Sequence, residues 1–207
     1  MLVAIEALIG TGKTTVVEHL DGVKFYEPVD ANPFLELYYV DPARWAYAMQ
    51  VNLLWERYKA LQEAHYRSLR GDRCLMDRSY YGDYAFAIVQ HEAGYFTEAE
   101  FNSYERMHEA LQPNIVYPDL LVWLELSPAE ALERIKQRGR ECEASISLKY
   151  MERLDAAYQK VLKNLEPRCQ IIRVDARPDA TAVLGEVQAA IAAKERDLKF
   201  AAHPCYK

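Results

Sequence analysis

Cysteine is scarce and dispersed. The four residues, Cys74, Cys142, Cys169 and Cys205, form no Cys-x-x-Cys pair. Zinc sites and disulfide frameworks use patterned cysteines, so neither is expected, and scattered thiols fit a reducing compartment. An excess of positive charge is also missing: 25 Lys and Arg stand against 31 Asp and Glu, a formal net charge of −6. A general nucleic-acid surface would be basic, so no nucleic-acid polymer is expected as partner. A small phosphorylated ligand held by a few local arginines is compatible with this balance. Long apolar runs are lacking as well. The first one, Leu2-Val3-Ala4-Ile5, has no basic segment before it and soon breaks at a loop containing glycine. A membrane span needs about 20 apolar residues, and a signal peptide a basic start. The expectation is a soluble cytoplasmic protein with no membrane partner.

The 207 residues, 51% of them hydrophobic, suffice for one α/β domain with a substantial core and argue against disorder. Candidate strands are Leu2 to Ala7, Val23 to Tyr26, Cys74 to Asp77, Leu120 to Leu126 and Gln170 to Val174. Helical patterns lie between and after them: Lys13 to Leu20, Pro33 to Tyr39, Pro42 to Leu69, Tyr81 to His91, Glu98 to Leu111, Pro128 to Gln137, Leu148 to Leu165 and Ala180 to Ala193. Such alternation predicts a five-stranded parallel sheet with helices on both faces. No linker splits the chain, so a single domain over residues 1–207 is expected. The segment Pro42 to Leu69 is long for one helix. Trp45, Met49, Leu53, Leu54, Tyr58 and Leu61 recur mainly three to four apart, which gives a core-facing stripe. A helix of that length also has room for a second apolar face turned to a partner subunit.

The stretch Ile9-Gly10-Thr11-Gly12-Lys13-Thr14-Thr15 follows an apolar strand and opens a helix. That is the context of a phosphate-binding loop. Successive backbone N–H groups in such a turn wrap an anion, and the helix N-terminus adds free donors. Lys13 would reach the terminal phosphates and the Thr14 hydroxyl would bind Mg2+. Ala7 stands where the pattern has its first glycine, which is tolerable if its φ is negative.

Ligands of open α/β sheets bind at the carboxyl ends of strands. Two acidic residues fall there: Glu27, after the second strand, and Asp77, closing the third. At this point the chain resembles the deoxynucleoside kinase family, which includes deoxycytidine, deoxyguanosine and deoxyadenosine kinases. The likeness is carried by Gly10-Thr11-Gly12-Lys13-Thr14, Glu27-Pro28-Val29, Tyr39-Val40-Asp41-Pro42-Ala43-Arg44-Trp45, Gln50, Asp77-Arg78-Ser79, Arg134-Ile135-Lys136-Gln137-Arg138-Gly139-Arg140, Glu143 and Leu148-Lys149-Tyr150, in that order. It implies a P-loop kinase fold with a short arginine-rich lid, at about residues 138–147. It also implies transfer of the ATP γ-phosphoryl group to the 5′-hydroxyl of a deoxynucleoside, a nucleotide-salvage step.

By that resemblance Glu27 is the catalytic carboxylate beside the 5′-hydroxyl. Arg78 holds the nucleophile and offsets charge on the transferring group, with Lys13 also in the catalytic set. Asp77 shares Mg2+ with Thr14. Gly10, Thr11, Gly12, Lys13, Thr14 and Thr15 cradle the ATP phosphates, and Arg134, Arg138 and Arg140 close over them. Tyr39 and Glu143 grip the sugar 3′-hydroxyl.

Gln50 and Arg57 lie seven apart on the long helix and so return to nearly one face. With Asp83 they match the family's readers of the base, and Phe86, three residues beyond Asp83, is placed to stack on it. Arginine suits guanine O6 and N7, and glutamine can donate and accept together. The expectation is therefore a purine deoxynucleoside, guanine before adenine, with cytosine as an alternative and thymidine poor. Two other readings stay open: a nucleoside monophosphate kinase, disfavoured because Glu27 would repel an acceptor phosphate, and a weakly active partner subunit of a heterodimeric kinase. A homodimer is the family expectation, and pairing with a homologous chain is the alternative.

Overall fold

Five apolar runs pair into one parallel sheet in the computed structural model of the chain, which describes residues 1–27, 32–140 and 143–201. The strands are β1 (Leu2–Ala7), β2 (Val23–Phe25), β3 (Cys74–Asp77), β4 (Leu120–Glu125) and β5 (Gln170–Asp175), in the order β2-β3-β1-β4-β5. β1 and β3 are buried along their whole length, as their near-continuous apolar sequences require of strands covered on both faces. The helices are α1 (Lys13–Glu18), α2 (Leu35–Val40), α3 (Pro42–Leu69), α4 (Tyr80–Glu92), α5 (Glu98–Leu111), α6 (Pro128–Arg138), α7 (Leu148–Leu165) and α8 (Ala180–Ala201). α1 and α8 pack together against the sheet, while α3, α4 and α7 form a second layer. Among the described residues no helix is long and apolar enough to cross a membrane.

Side-chain caps set most helix starts. Asp41 accepts from the Arg44 N–H at 3.1 Å, with Pro42 in the first turn of α3. Thr97 with Glu100, and Ser127 with Glu130, close capping boxes on α5 and α6, each satisfying two otherwise orphaned donors. Gly139, at φ 68°, ends α6.

Three ends differ from the pattern reading by two residues or more. α2 begins at Leu35, not Pro33, because the Asn32 side chain accepts the Phe34 N–H at 2.9 Å and forms a turn first. α1 stops at Glu18, and tighter i→i−3 bonds from His19 and Leu20 finish the turn. α8 runs on to Ala201, past Ala193. There Glu195 pairs with Arg73 at 2.7 Å and ties the extra turns to the entrance of β3. Pro28, Val29 and residues 141–142, parts of the motif and of the expected lid, lie outside the described residues.

Met49, Leu53, Leu54 and Leu61 of α3 are buried, and Trp45 and Tyr58 are half-buried. Gln50 and Arg57 share that inward stripe, so polar groups are built into the apolar face. Trp55, Tyr66 and Leu69 of the same helix are 49%, 56% and 72% exposed. Their spacing puts them on one outward face.

His108 of α5 is buried, with its ring stacked on Tyr80 at 4.5 Å between centroids. Burial holds its pKa down to about 4, from an ordinary 6.5. Between those values the unfolded chain takes up a proton that the folded chain refuses, so stability falls as pH drops from about 6.5 to about 4. Chemical denaturation of the wild type should show a loss of up to about 3 kcal/mol from this source across that window. His108→Phe should flatten the profile there, and an equally steep profile in the variant would exclude His108 as its origin.

Candidate active site

β1 ends at Ala7 and the chain turns through Leu8 to Gly12 into α1. Gly10 and Gly12 take φ of 82° and 101°, a region that costs glycine nothing. A Cβ on Gly10 would meet Ile135 Cγ1 at 2.6 Å and the Ala131 carbonyl at 2.8 Å, so the loop lies directly on α6. Arg78 is the single non-glycine residue with positive φ among the described residues. Ala7 therefore keeps an ordinary backbone, and the missing glycine costs the loop no strain.

The strand order reverses at the middle of the sheet: β2 and β3 lie to one side of β1, and β4 and β5 to the other. Such a reversal opens a crevice at the strands' carboxyl ends. Ile5 is level with Asp77, which sets the end of β3 beside the loop. The Thr14 hydroxyl donates to Asp77 Oδ2 at 2.5 Å, and Lys13 Nζ lies 3.6 Å from Asp77 Oδ1. That Oδ1 is buried and has no hydrogen-bond partner among the described residues. An alcohol and a carboxylate with a spare lone pair form a hard oxygen donor set, which fits Mg2+. Burial and the neighbouring Arg78 depress the pKa of Lys13, against the pull of Asp77 and Glu27.

Phe25 of β2 is level with Met76 of β3, so Glu27 and Arg78 leave the sheet side by side. Arg78 Nε donates to Glu27 Oε2 at 3.1 Å, and Nη1 donates to the Ala7 carbonyl at 3.4 Å and to the Tyr158 hydroxyl. Arg57 Nη2 donates to Glu27 Oε1, which also lies 3.0 Å from Arg78 Nε, while its Nη1 donates to Asp83 Oδ1. Burial alone would raise the Glu27 pKa; Arg78 and Arg57 overcome it and hold the carboxyl at about 2. Gln50 Nε2 donates to the Asp83 carbonyl at 3.2 Å, and Gln50 Oε1 is buried without a partner among the described residues. The Phe86 ring lies 4.6 Å from the Arg78 guanidinium carbon and 5.8 Å from that of Arg57. Gln50, Arg57, Asp83 and Phe86 thus meet Glu27 and Arg78 in one cluster.

The three arginines expected to close over ATP are held by other protein groups. Arg134 donates to the carbonyls of Thr11 and Ala176 at 3.2 and 2.7 Å, bracing the phosphate loop against the turn after β5. Arg138 Nη2 donates to both oxygens of Glu143 at 2.6 Å, and Arg140 lies 3.8 Å from the same carboxylate. Glu143 is therefore held by the arginines, while Tyr39 sits on α2 with its ring edge-on to Tyr38.

Three members of the cluster escape a pattern reading. Glu6 is a buried carboxylate in β1; its signal was a lone charge inside an apolar strand. Tyr104 donates to Asp83 Oδ2 at 2.5 Å, and Tyr158 joins Arg78 to Glu6. Both tyrosines occupy core positions of amphipathic helices, where an aromatic signals nothing beyond packing.

A phosphate loop with a hydroxyl–carboxylate pair, facing a carboxylate clamped by arginines at a sheet crevice, defines a P-loop phosphotransferase. The chain belongs to the deoxynucleoside kinase family, whose model matches residues 3–196, and it is a kinase. It is 33% identical over 177 residues to the deoxyadenosine kinase of Dictyostelium discoideum, covering 84% of this chain and 71% of that one. It is 34% identical over 172 residues to the deoxyguanosine kinase of the same organism, covering 81% of this chain but only 60% of that longer protein. A solved deoxyadenosine kinase from M. mycoides, with dCMP and a flexible dCDP bound, superposes with a TM-score of 0.82 at 27% identity, over 93% of this chain and 100% of its own.

Because its folded pKa is depressed, Glu27 stabilises the protein above its unfolded value near 4.5, and that contribution is lost as pH falls towards about 2. A carboxyl-carbon NMR titration should find Glu27 still ionised at pH 4. Half-protonation near pH 4.5 would mean that the arginine clamp does not form in solution.

Proposed function

We propose that the protein transfers the γ-phosphoryl group of ATP to the 5′-hydroxyl of a deoxynucleoside, giving the 5′-monophosphate. The observation that carries this reading is the reach of Arg78, which touches Glu27 with one nitrogen and the Ala7 carbonyl at the root of the phosphate loop with another. One sugar alcohol would sit between those two contacts. Glu27 accepts its hydrogen bond and orients the oxygen. With a pKa of about 2 it is a weak base, which suits a loose transition state in which the proton leaves late. Arg78 and Lys13 offset charge on the phosphoryl oxygens. Thr14 and Asp77 would hold Mg2+, which supplies charge neutralisation at the phosphates. The backbone from Gly10 to Thr15 receives those phosphates, with Thr15 inside the first turn of α1.

Arg138 and Arg140 would exchange Glu143 for phosphate oxygens when ATP arrives, and Arg134 would join them from the loop side. Glu143, once released, is free to meet the 3′-hydroxyl together with Tyr39. The unpartnered Gln50 Oε1 favours a base that offers a ring N–H or an exocyclic amine, and the two-pronged Arg57 favours acceptors at O6 and N7. We therefore rank deoxyguanosine before deoxyadenosine, with Phe86 as the stacking surface. The outward face of Trp55, Tyr66 and Leu69 supports pairing with a second copy of the chain; light scattering should give twice the monomer mass, and a monomer would remove that pairing.

Purified protein with Mg-ATP, offered each deoxynucleoside and each monophosphate, should convert deoxyguanosine and deoxyadenosine best and thymidine worst. Glu27→Gln should lower kcat by about 10²- to 10⁴-fold and leave ATP affinity nearly intact. Turnover confined to monophosphates, or wild-type rates in Glu27→Gln, would reject the assignment. No turnover at all would favour a partner subunit.

A further inference from the structure

Arg78 sits in the cluster at a cost. Its φ of 69° is a strained conformation for a side chain of its size, and such strain persists only where the surroundings enforce it. Two groups do so along the backbone. The Arg78 N–H donates to the Ile5 carbonyl at 3.0 Å. The next residue, Ser79, donates both its N–H and its hydroxyl to Glu6 Oε1, at 2.8 and 2.6 Å. The other oxygen of the same carboxylate, Oε2, accepts from the Tyr158 hydroxyl at 3.1 Å. The Tyr158 oxygen in turn accepts from Arg78 Nη1. One buried carboxylate therefore fixes the arginine twice, once through its backbone and once through its side chain.

The carboxylate has no slack. A Cβ on Gly82, in the first turn of α4, would fall 2.4 Å from Glu6 Oε2. Glu6 is 1% exposed, and the guanidinium approaches it no closer than 3.9 Å. Burying a carboxylate without a directly bonded cation is costly, and an apolar residue of similar volume would serve the core better. Burial also pushes the Tyr158 hydroxyl well above its ordinary pKa, so it stays protonated and keeps its donor for Glu6. The Tyr158 ring packs on Trp123 at 4.9 Å and edge-on to Phe86 at 6.0 Å between centroids, which leaves its oxygen little freedom.

We propose that Glu6 and Tyr158 are positioning residues for phosphoryl transfer, a buried relay that holds Arg78 aimed between Glu27 and the phosphate loop. This rests on the role given to Arg78 above. Neither residue touches substrate. Each sharpens the aim of one that does, so its loss lowers turnover rather than binding.

Tyr158→Phe keeps the ring and removes the relay oxygen. Its kcat should fall at least about tenfold, with KM for ATP and for the deoxynucleoside changed by less than about threefold, and thermal unfolding should stay cooperative with a lower midpoint, because a buried Glu6 oxygen loses its donor. Glu6→Gln, which keeps the shape and drops the charge, should repeat that split and carries the test if Tyr158→Phe does not fold. In an Arg78→Lys background either substitution should cost far less than it does alone, because the target of the relay is already gone. An unchanged kcat in folded Tyr158→Phe, or full additivity with Arg78→Lys, would overturn the relay while wild-type turnover of deoxynucleosides left the proposed function standing. Wild-type rates in Arg78→Lys would instead strike at the role of Arg78 itself.

Discussion

Two guanidiniums share one carboxylate where β2 and β3 leave the sheet, and the rest of the site is arranged around that sharing. Glu27 accepts from both arginines, with Arg78 Nε and Arg57 Nη2 meeting at its Oε1, and Arg57 passes on to Asp83, which Tyr104 secures. Buried charges of this kind add little net stability, but removing one partner strands the others and is strongly destabilising, by about 3–5 kcal/mol. The network therefore makes the geometry all-or-none. Each arginine is pinned by groups from at least two elements, so the cations stand ready before any ligand arrives. Pre-organised charge of this sort needs no rearrangement at the moment of transfer.

The same sharing sets what a substrate must do to enter. On the proposed assignment, a sugar hydroxyl approaching Glu27 would compete with Arg57 for Oε1. A base approaching Arg57 would compete with Glu27 and Asp83 for the guanidinium. Filling both subsites at once would replace each lost contact with a new one, whereas filling one alone would leave a buried charge short of partners. Selectivity for a whole deoxynucleoside over a free sugar or a free base would follow from that arithmetic, with no extra contact needed.

Legibility in the sequence tracked how local each determinant was. The limits of α3, α5 and α7 could be read to the residue, because Asp41, Thr97 and Ser147 cap them with bonds that span three positions. The start of α2 could not, since it depends on an Asn32 side chain that competes with the helix, and the far end of α8 depends on Arg73, 122 residues away. The site divides in the same way. Lys13 announces itself in the phosphate loop and Glu27 and Asp77 at strand ends, and the resemblance supplied the roles of Arg78, Gln50, Arg57 and Asp83. Glu6 and Tyr158 are joined across 152 residues. One reads as an exception in a strand and the other as core, and only folding makes them a pair.

The phosphate loop and the lid are less separate than their distance in sequence implies. Gly10 lies against Ile135 and the Ala131 carbonyl without room for a methyl group, and Arg134, one turn along the same helix from Ala131, returns a bond to Thr11. A shift of the loop on receiving phosphate would therefore press on α6. At the other end of α6, Arg138 keeps Glu143 occupied. On the assignment proposed above, phosphate at the loop would draw Arg138 away and free that carboxylate. Donor and acceptor sites would then be linked through one helix and one exchangeable ion pair, and the donor site would not need to touch the acceptor to prepare its pocket.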